Sequence, residues 1–377
     1  MTVIAVIFWV AGALLIYTQV GYALLLALIA RSVRGRRTPE LSTAGEEPKV
    51  SVIVAAHNEQ AVIAARVANF RAQEYPPALV ELIIASDGST DSTAAQARAA
   101  GADHVLELPR GGKIRAQDEA VRCASGALLA FSDANSVWQP DALGRIVAAF
   151  ADPRVGYVCG DVTLLDGGGR NQEGLYWRYE MWMRRLESGL RSVTAGNGAI
   201  YATRREAYIA LDKLAGHDLS FPFNMVKRGW RALYVADAHA SERMAPSIEG
   251  EFARKRRMAR RTWPTVWGSG LLSPRGYDPL YALMIVSHRL LRYLVPFLHG
   301  IALLASLVLL GQGWFYVACA ALQVALLVAA ALGGLAPGRL LLIARYYVVT
   351  NLALAVGLWD WLRGERSPVW EAVEGTR

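Results

Sequence analysis

Cysteine is scarce: Cys123, Cys159 and Cys319 are the only three in 377 residues, far apart and in apolar settings. Their spacing excludes a disulfide framework and a cysteine-ligated zinc site, and it suits a reducing compartment. No repeat of solenoid length is present. The first 30 residues lack both the basic start and the small-residue cleavage site of a removable leader, so this apolar stretch reads as a retained segment long enough to cross a bilayer. An intact phosphate-binding P-loop is also missing. Gly111-Gly112-Lys113 invites that reading, but Glu107 stands where the first loop glycine should be and Ile114 replaces Ser or Thr.

Apolar residues are plentiful, at 54% of the chain, and unevenly spread. They concentrate in residues 1–30 and again after Leu280. The net charge of +8 comes mostly from arginines beside these segments, which points to anionic lipid as the partner rather than nucleic acid. Arg31, Arg34, Arg36 and Arg37 follow the first segment, and the positive-inside rule then puts the following domain in the cytoplasm, with an inner (plasma) membrane as the setting. The expected organisation is a membrane helix at 1–30, a basic linker at 31–48, an α/β domain at 49–250, basic interfacial helices at 251–292, membrane segments at 293–363 and a polar tail at 364–377.

Between the apolar ends, strands alternate with helices. Val50 to His57 is a continuous apolar run suited to a strand buried on both faces of a parallel sheet. A helix over Ala61–Glu74, a strand over Leu79–Ala85, a helix to Ala100, a strand at His104–Leu108 and a helix over Lys113–Ala124 follow. Ala127–Phe131 is the next strand, then a helix from about Pro140 to Phe150. This alternation implies right-handed crossovers and a mostly parallel sheet. Further on, Val155–Leu165 reads as extended, Asp166–Arg170 as a mobile turn, Glu173–Leu190 as an amphipathic helix and Leu233–Ala236 as a last strand. Ala195–Ala207 is a glycine-bearing loop leading into a strand and helix, and His217-Asp218 opens a helix reaching Arg228.

The central stretch is Ala127 to Ser136. Its strand ends in Asp133 and Asn135, two apart, whose oxygens can point the same way from extended backbone. At the carboxyl end of a parallel strand, open sheets place their ligand crevice. An oxygen pair there suits a hard divalent cation carrying a phosphate; a helix cap is the alternative reading.

Taken in order, Val50–Asn58, Asp87–Asp91, Lys113 and Asp133–Asn135 make the chain resemble glycosyltransferase family 2, in its membrane-embedded, cellulose-synthase-like and hyaluronan-synthase-like branch. The resemblance runs from about Val50 to Trp263. It implies a Rossmann-like GT-A domain with flanking transmembrane helices. Asn58, Glu59, Asp87 and Lys113 would hold a nucleoside diphosphate sugar, with a UDP-sugar expected. Asp133 and Asn135 would hold Mg²⁺ or Mn²⁺ bridging its phosphates. Gly196, Asn197, Arg257, Arg260 and Trp263 would meet the diphosphate and acceptor, and Asp218 would be the base of an inverting transfer to a lipid-linked or saccharide acceptor. His217 is expected at the surface or behind the site. The chain departs from the family at Gln117-Asp118, where Leu-Asn is common, at Asn135 in place of Asp, and at Thr262, which breaks the Gln-x-x-Arg-Trp motif of processive members. Two alternatives stay open: a processive synthase-translocase, which would need a homo-oligomer or an export partner, and a non-catalytic nucleotide-sensing membrane scaffold. The side of the tail is also open. Three membrane segments after a cytoplasmic domain would leave it outside, whereas Arg363, Arg366 and Arg377 favour inside; either the last segment, with Arg345 in it, is interfacial or the charge rule fails.

Overall fold

The computed structural model describes residues 1–33, 47–165, 174–212, 216–243, 248–336 and 338–364. Most of the expected basic linker, the turn at Asp166–Arg170 and nearly all of the polar tail lie outside the described residues. The chain opens with α1 (Thr2–Ile16) and α2 (Tyr22–Val33), joined through a single π-helical turn. The domain follows as β1 (Val50–Ala56), α3 (Ile63–Arg71), β2 (Val80–Asp87), α4 (Thr93–Ala99), β3 (His104–Leu108), α5 (Lys113–Cys123), β4 (Leu128–Asp133), β5 (Val137–Trp138) and α6 (Ala142–Ala148). It continues as β6 (Val155–Leu165), α7 (Gly174–Leu190), β7 (Tyr201–Arg204), α8 (His217–Lys227) and β8 (Arg231–Arg243). Then come α9 (Ile248–Gly268), α10 (Pro279–Met284), a second π turn, α11 (Leu291–Val308), α12 (Trp314–Leu332) and α13 (Arg339–Leu362).

The eight strands form one sheet in the order β3-β2-β1-β4-β7-β6-β8-β5. The half from β3 to β4 is parallel; β7 enters antiparallel to β4 and β6. All seven residues of β1 are buried, which explains its unbroken apolar run. Alternate residues serve opposite faces. Val52 and Val54 join Phe70, Trp138 and Ile146 under α3 and α6, while Ile53 joins Phe131, Tyr201, Phe221 and Met225 under α5 and α8. Ala55 stands opposite Asp133 and Ala56 opposite Ser86, so β1, β2 and β4 deliver His57, Asp87 and Asp133 to one edge. Two expectations change. The sequence pattern suggested a helix after β7, but Arg205–Asp212 forms turns and irregular backbone; the last strand runs 13 residues rather than four because β6 and β5 pair along its length.

Among the described residues, four helices are long and apolar enough to cross a membrane by length and composition: Thr2–Ser32, Pro279–Val308, Trp314–Leu332 and Arg339–Leu362. The second begins at Pro279 rather than near Tyr293, since α10, the π turn and α11 are continuous. The two π turns face each other, with Tyr17 Oη and Ser287 Oγ hydrogen-bonded at 2.8 Å. Below them lies a buried polar network that the sequence did not suggest. Glu187 of α7 accepts from Tyr22 Oη at 2.6 Å, from Thr194 N–H at 3.1 Å and from the Thr194 hydroxyl at 3.0 Å. His288 lies 2.7 Å from the same carboxylate, and Arg292 pairs with Glu180 at 2.5 Å. Burial would push the Glu187 carboxyl up; the charges of His288 and Arg289 and the bonds from His288 and Tyr22 outweigh it and hold it below the ordinary value. The network fixes the apolar helices to the domain at one register. Removing one partner leaves an uncompensated buried charge, so Glu187→Ala should lower stability by about 3–5 kcal/mol in detergent unfolding, whereas the exposed Arg145→Ala should change it by less than about 1 kcal/mol.

Candidate functional site

The site begins at Asp87, the last residue of β2. Its carboxylate accepts the backbone N–H groups of Gly111 at 2.7 Å and Gly112 at 2.9 Å, and the Arg110 guanidinium lies 3.5 Å away. His57 Nδ1 is 2.8 Å from the Asp87 carbonyl. Asp87 therefore shapes the Gly-Gly loop and aims the next residue, Lys113, from the first turn of α5. The Lys113 ammonium donates to the Asp133 carboxylate at the end of β4. Gly198 packs against this pair: a Cβ there would sit 3.2 Å from Lys113 Nζ and 3.3 Å from Asp133 Oδ2. Two residues earlier the Gly196 N–H donates to the Asp218 carbonyl at 2.7 Å. Asn197 spends its amide bracing this loop, donating to Gly160 O at 2.7 Å and accepting from Ile200 N–H at 2.9 Å.

Asn58 and Glu59 lie on the neighbouring loop. Asn58 adopts φ of 54°, and its side-chain oxygen accepts from Thr90 N–H at 2.9 Å. Glu59 is buried, with its N–H donating to Thr93 Oγ1 at 2.8 Å. Asp91 accepts from Thr93 and from Gln60 N–H; burial raises its carboxyl, and these bonds more than reverse that, leaving it low. The structure thus brings Asn58, Glu59, Asp87, Lys113, Asp133, Gly196 and Asp218 to one edge of the sheet.

The basic helix α9 divides its residues. Arg260 pairs with Asp360 of α13 at 2.7 Å, and Trp263 is fully buried, its indole N–H donating to Leu354 O at 3.0 Å. Both are committed to helix packing. Arg257 is half-buried one turn before Arg261. Arg261, which the sequence did not single out, is the arginine on which Asp218 acts: burial pulls its guanidinium down and the Asp218 charge pulls it up.

Two further charges lie behind Asp133. Glu242, near the end of β8, accepts from Ser136 Oγ; burial and the Asp133 charge both push its carboxyl up. Arg66, buried in α3, donates to Ser132 Oγ at 2.7 Å and lies 3.6 Å over the Phe70 ring. No motif marks either; Glu242 lies beyond the expected end of its strand. Gln117 and Asp118 turn out to be braces: Gln117 donates to Tyr201 Oη at 3.2 Å, and Asp118 accepts from Tyr208 Oη at 2.6 Å.

The donors at the DxN step are oxygens only, and Lys113 already presents a cation to Asp133. That chemistry fits Mg²⁺ or Mn²⁺. Among the described residues no group of three His, Cys, Asp or Glu forms a complete cage, so substrate phosphates would supply further ligands.

Of its two expected places, His217 takes the one away from the surface. It is buried, with Nδ1 2.7 Å from Tyr201 Oη and its ring at 4.4 Å and 87° to Phe221. Burial, then the Lys113 charge, hold it well below the ordinary imidazole value. The unfolded chain therefore takes up a proton near pH 6.5 that the folded one refuses. Stability should fall as pH drops below about 6.5, by up to roughly 1.4 kcal/mol per unit, and His217→Gln should flatten that part of the unfolding profile.

Comparison with known proteins agrees with this fold. Residues 51–211 match the family model for glycosyl transferase family 2, and this stretch is a domain of that family. The chain is similar to an N-acetylglucosaminyltransferase of Rhizobium meliloti, 27% identical over 267 residues that cover 64% of this chain and 62% of that protein. It is also similar to a beta-monoglucosyldiacylglycerol synthase of Synechocystis, 31% identical over 172 residues, 41% of this chain and 34% of that one. The chain thus spans less than two thirds of the length of these curated relatives. A mannosyltransferase from Pyrobaculum calidifontis, solved with GDP-Man and Mn2+, shares the fold with a TM-score of 0.72 at 21% identity, covering 96% of this chain and 100% of that one.

Proposed function

We propose that the family 2 domain is an active, inverting glycosyltransferase that moves a sugar from a nucleoside diphosphate donor, a UDP-sugar by preference, to a lipid-linked or saccharide acceptor at the membrane. The observation that carries this reading is the Gly196–Gly198 loop. At one end it bonds the backbone of Asp218; two residues on it rests against Lys113 and Asp133. Two residues of chain span at most about 7 Å, so the Asp218 backbone and the Lys113–Asp133 pair flank one short loop.

The roles follow from the chemistry. Asn58, Glu59 and the Asp87 loop border the nucleoside. Asp133 and Asn135 would hold the divalent cation, with Glu242 bonded to the neighbouring Ser136. When bound, that cation offsets charge growing on the leaving diphosphate. Lys113 turns from Asp133 to the phosphates, and Arg261 and Arg257 add positive charge on the open side. Asp218, at the N-terminus of α8, takes the proton of the acceptor hydroxyl as it attacks the anomeric carbon. Arg260 and Trp263 act indirectly, by holding α9 in place. The acceptor arrives from the bilayer beside the domain, on the cytoplasmic face. Similarity to a glycolipid synthase favours a lipid acceptor, and the broken Gln-x-x-Arg-Trp motif favours single transfer over polymerisation.

The test is release of nucleoside diphosphate by the purified full chain across UDP-glucose, UDP-N-acetylglucosamine, UDP-galactose and GDP-mannose. Turnover with one donor should vanish on chelation, return with Mn²⁺ or Mg²⁺, and fall by about 10²–10⁴ in kcat for Asp218→Asn at similar donor KM. Absence of turnover with every donor alongside tight nucleotide binding would overturn the reading in favour of a sensing scaffold.

A further inference from the structure

We infer that α13, although long and apolar enough to span, does not cross the bilayer: it starts and ends on the side of the catalytic domain, docked along α9. The inference rests on helix packing and on charge, and is independent of the catalytic reading.

The other apolar helices set the frame. Phe8 packs with Ala305 and Leu309, Ala11 with Leu298 and Ala302, and Tyr22 bonds Glu187 of the domain. The start of α1 and the end of α11 therefore share the end far from the domain. The α12 helix begins there too, with Phe315 stacked on Trp9 at 5.1 Å. Its 19 residues run about 28 Å back toward the domain. So α13 starts on the near side.

Its other end is near as well. Asp360, buried, accepts from Arg256 at 2.6 Å and from Arg260 at 2.7 Å. Gly357 lies so close to Ala259 that a Cβ there would collide with it, and Trp263 bonds Leu354 O. Lys255 meanwhile lies 5.0 Å over the Tyr346 ring. Tyr346 and Asp360 are 14 positions apart, about 21 Å along the helix, yet they touch neighbouring residues of α9. A helix leaving the domain side could not meet both. The later half of α9 is itself tied to the domain side, since Val266 packs with Tyr22 and Phe223, and the Trp263 ring lies 6.1 Å from Tyr293 at the start of α11.

Charge agrees. Arg339 starts α13, Arg345 sits two turns in, and Arg363 follows its end, so both ends carry the sign that retains a segment on the near side. Midway, Tyr347 Oη takes Gln19 at 3.3 Å and lies 2.8 Å from His299. This resolves the conflict between three crossings and a basic tail: two of the three later segments cross, and the end of α13 returns to the catalytic side.

The native thiols supply the reference. Cys123 is exposed on the domain and Cys159 is buried. In a Cys319→Ser background, single Gln312→Cys, Leu335→Cys, Leu362→Cys and Arg363→Cys variants of the full chain are treated with a membrane-impermeant maleimide in inverted and in right-side-out vesicles. Cys159 left unlabelled reports a folded domain. Leu335→Cys and Arg363→Cys should label together with Cys123, in the same vesicle orientation, and Gln312→Cys in the opposite one; Leu362→Cys duplicates Arg363→Cys. Labelling of Arg363→Cys or Leu362→Cys on the side opposite Cys123 would overturn the inference, as would labelling of Leu335→Cys there.

Discussion

The contact between Lys113 and Asp133 is the one on which the site depends. It joins the first turn of α5 to the end of β4, and the loop through Gly198 closes over it. Each member is aimed by something else. Asp87 holds the backbone that carries Lys113, while β4, central in the sheet between β1 and β7, carries Asp133. A carboxylate neutralised by an ammonium is a poor anion and a poor cation site until a substrate divides the pair. In the proposed reaction a diphosphate takes Lys113 and leaves Asp133 to the metal, so the two charges are satisfied both before and after the donor binds.

The same economy of charge appears where the apolar helices meet the domain. Glu187 and Glu180 would be costly alone in that buried position; His288, Arg289, Arg292 and Tyr22 surround them. Asp360 is satisfied by two arginines of α9. Each network joins segments more than 90 residues apart, and together they hold the catalytic edge at one distance from the apolar helices. In the proposed reaction, a domain so fixed suits an acceptor that stays in the bilayer, because the base would meet a hydroxyl at constant depth.

Much of the domain was legible in the sequence because its parallel strands are short apolar runs that stop at polar residues. The ends of β1, β3 and β4 lie where the composition changes, and Asp87 and Asp133 come to one edge because they close β2 and β4, with Lys113 following β3. What was illegible depends on tertiary pairing. Nothing in the sequence shows that Arg260 turns to Asp360 while Arg261 comes within range of the Asp218 charge, since helical phase relative to a partner is set by packing. Glu242 was hidden because edge pairing with β6 and β5 extends β8 past its apolar core. The sequence left His217 at the surface or behind the site because it stands beside a charged residue at a helix start; aromatic rings from three other segments and from its own helix cover it. For α13, hydropathy alone reads as a span; its packing along α9 through Leu354, Gly357 and Asp360 argues otherwise.

The central claim is that the metal and the donor are bound as one unit, because Lys113 and Asp133 satisfy each other without them. Titration of Mn²⁺ into the full chain, followed by the paramagnetic signal of the free ion, tests it most directly. The account predicts weak binding to the protein alone and at least about tenfold tighter binding with UDP present, a difference that Lys113→Ala reduces. Equal Mn²⁺ affinity with and without nucleoside diphosphate would contradict it.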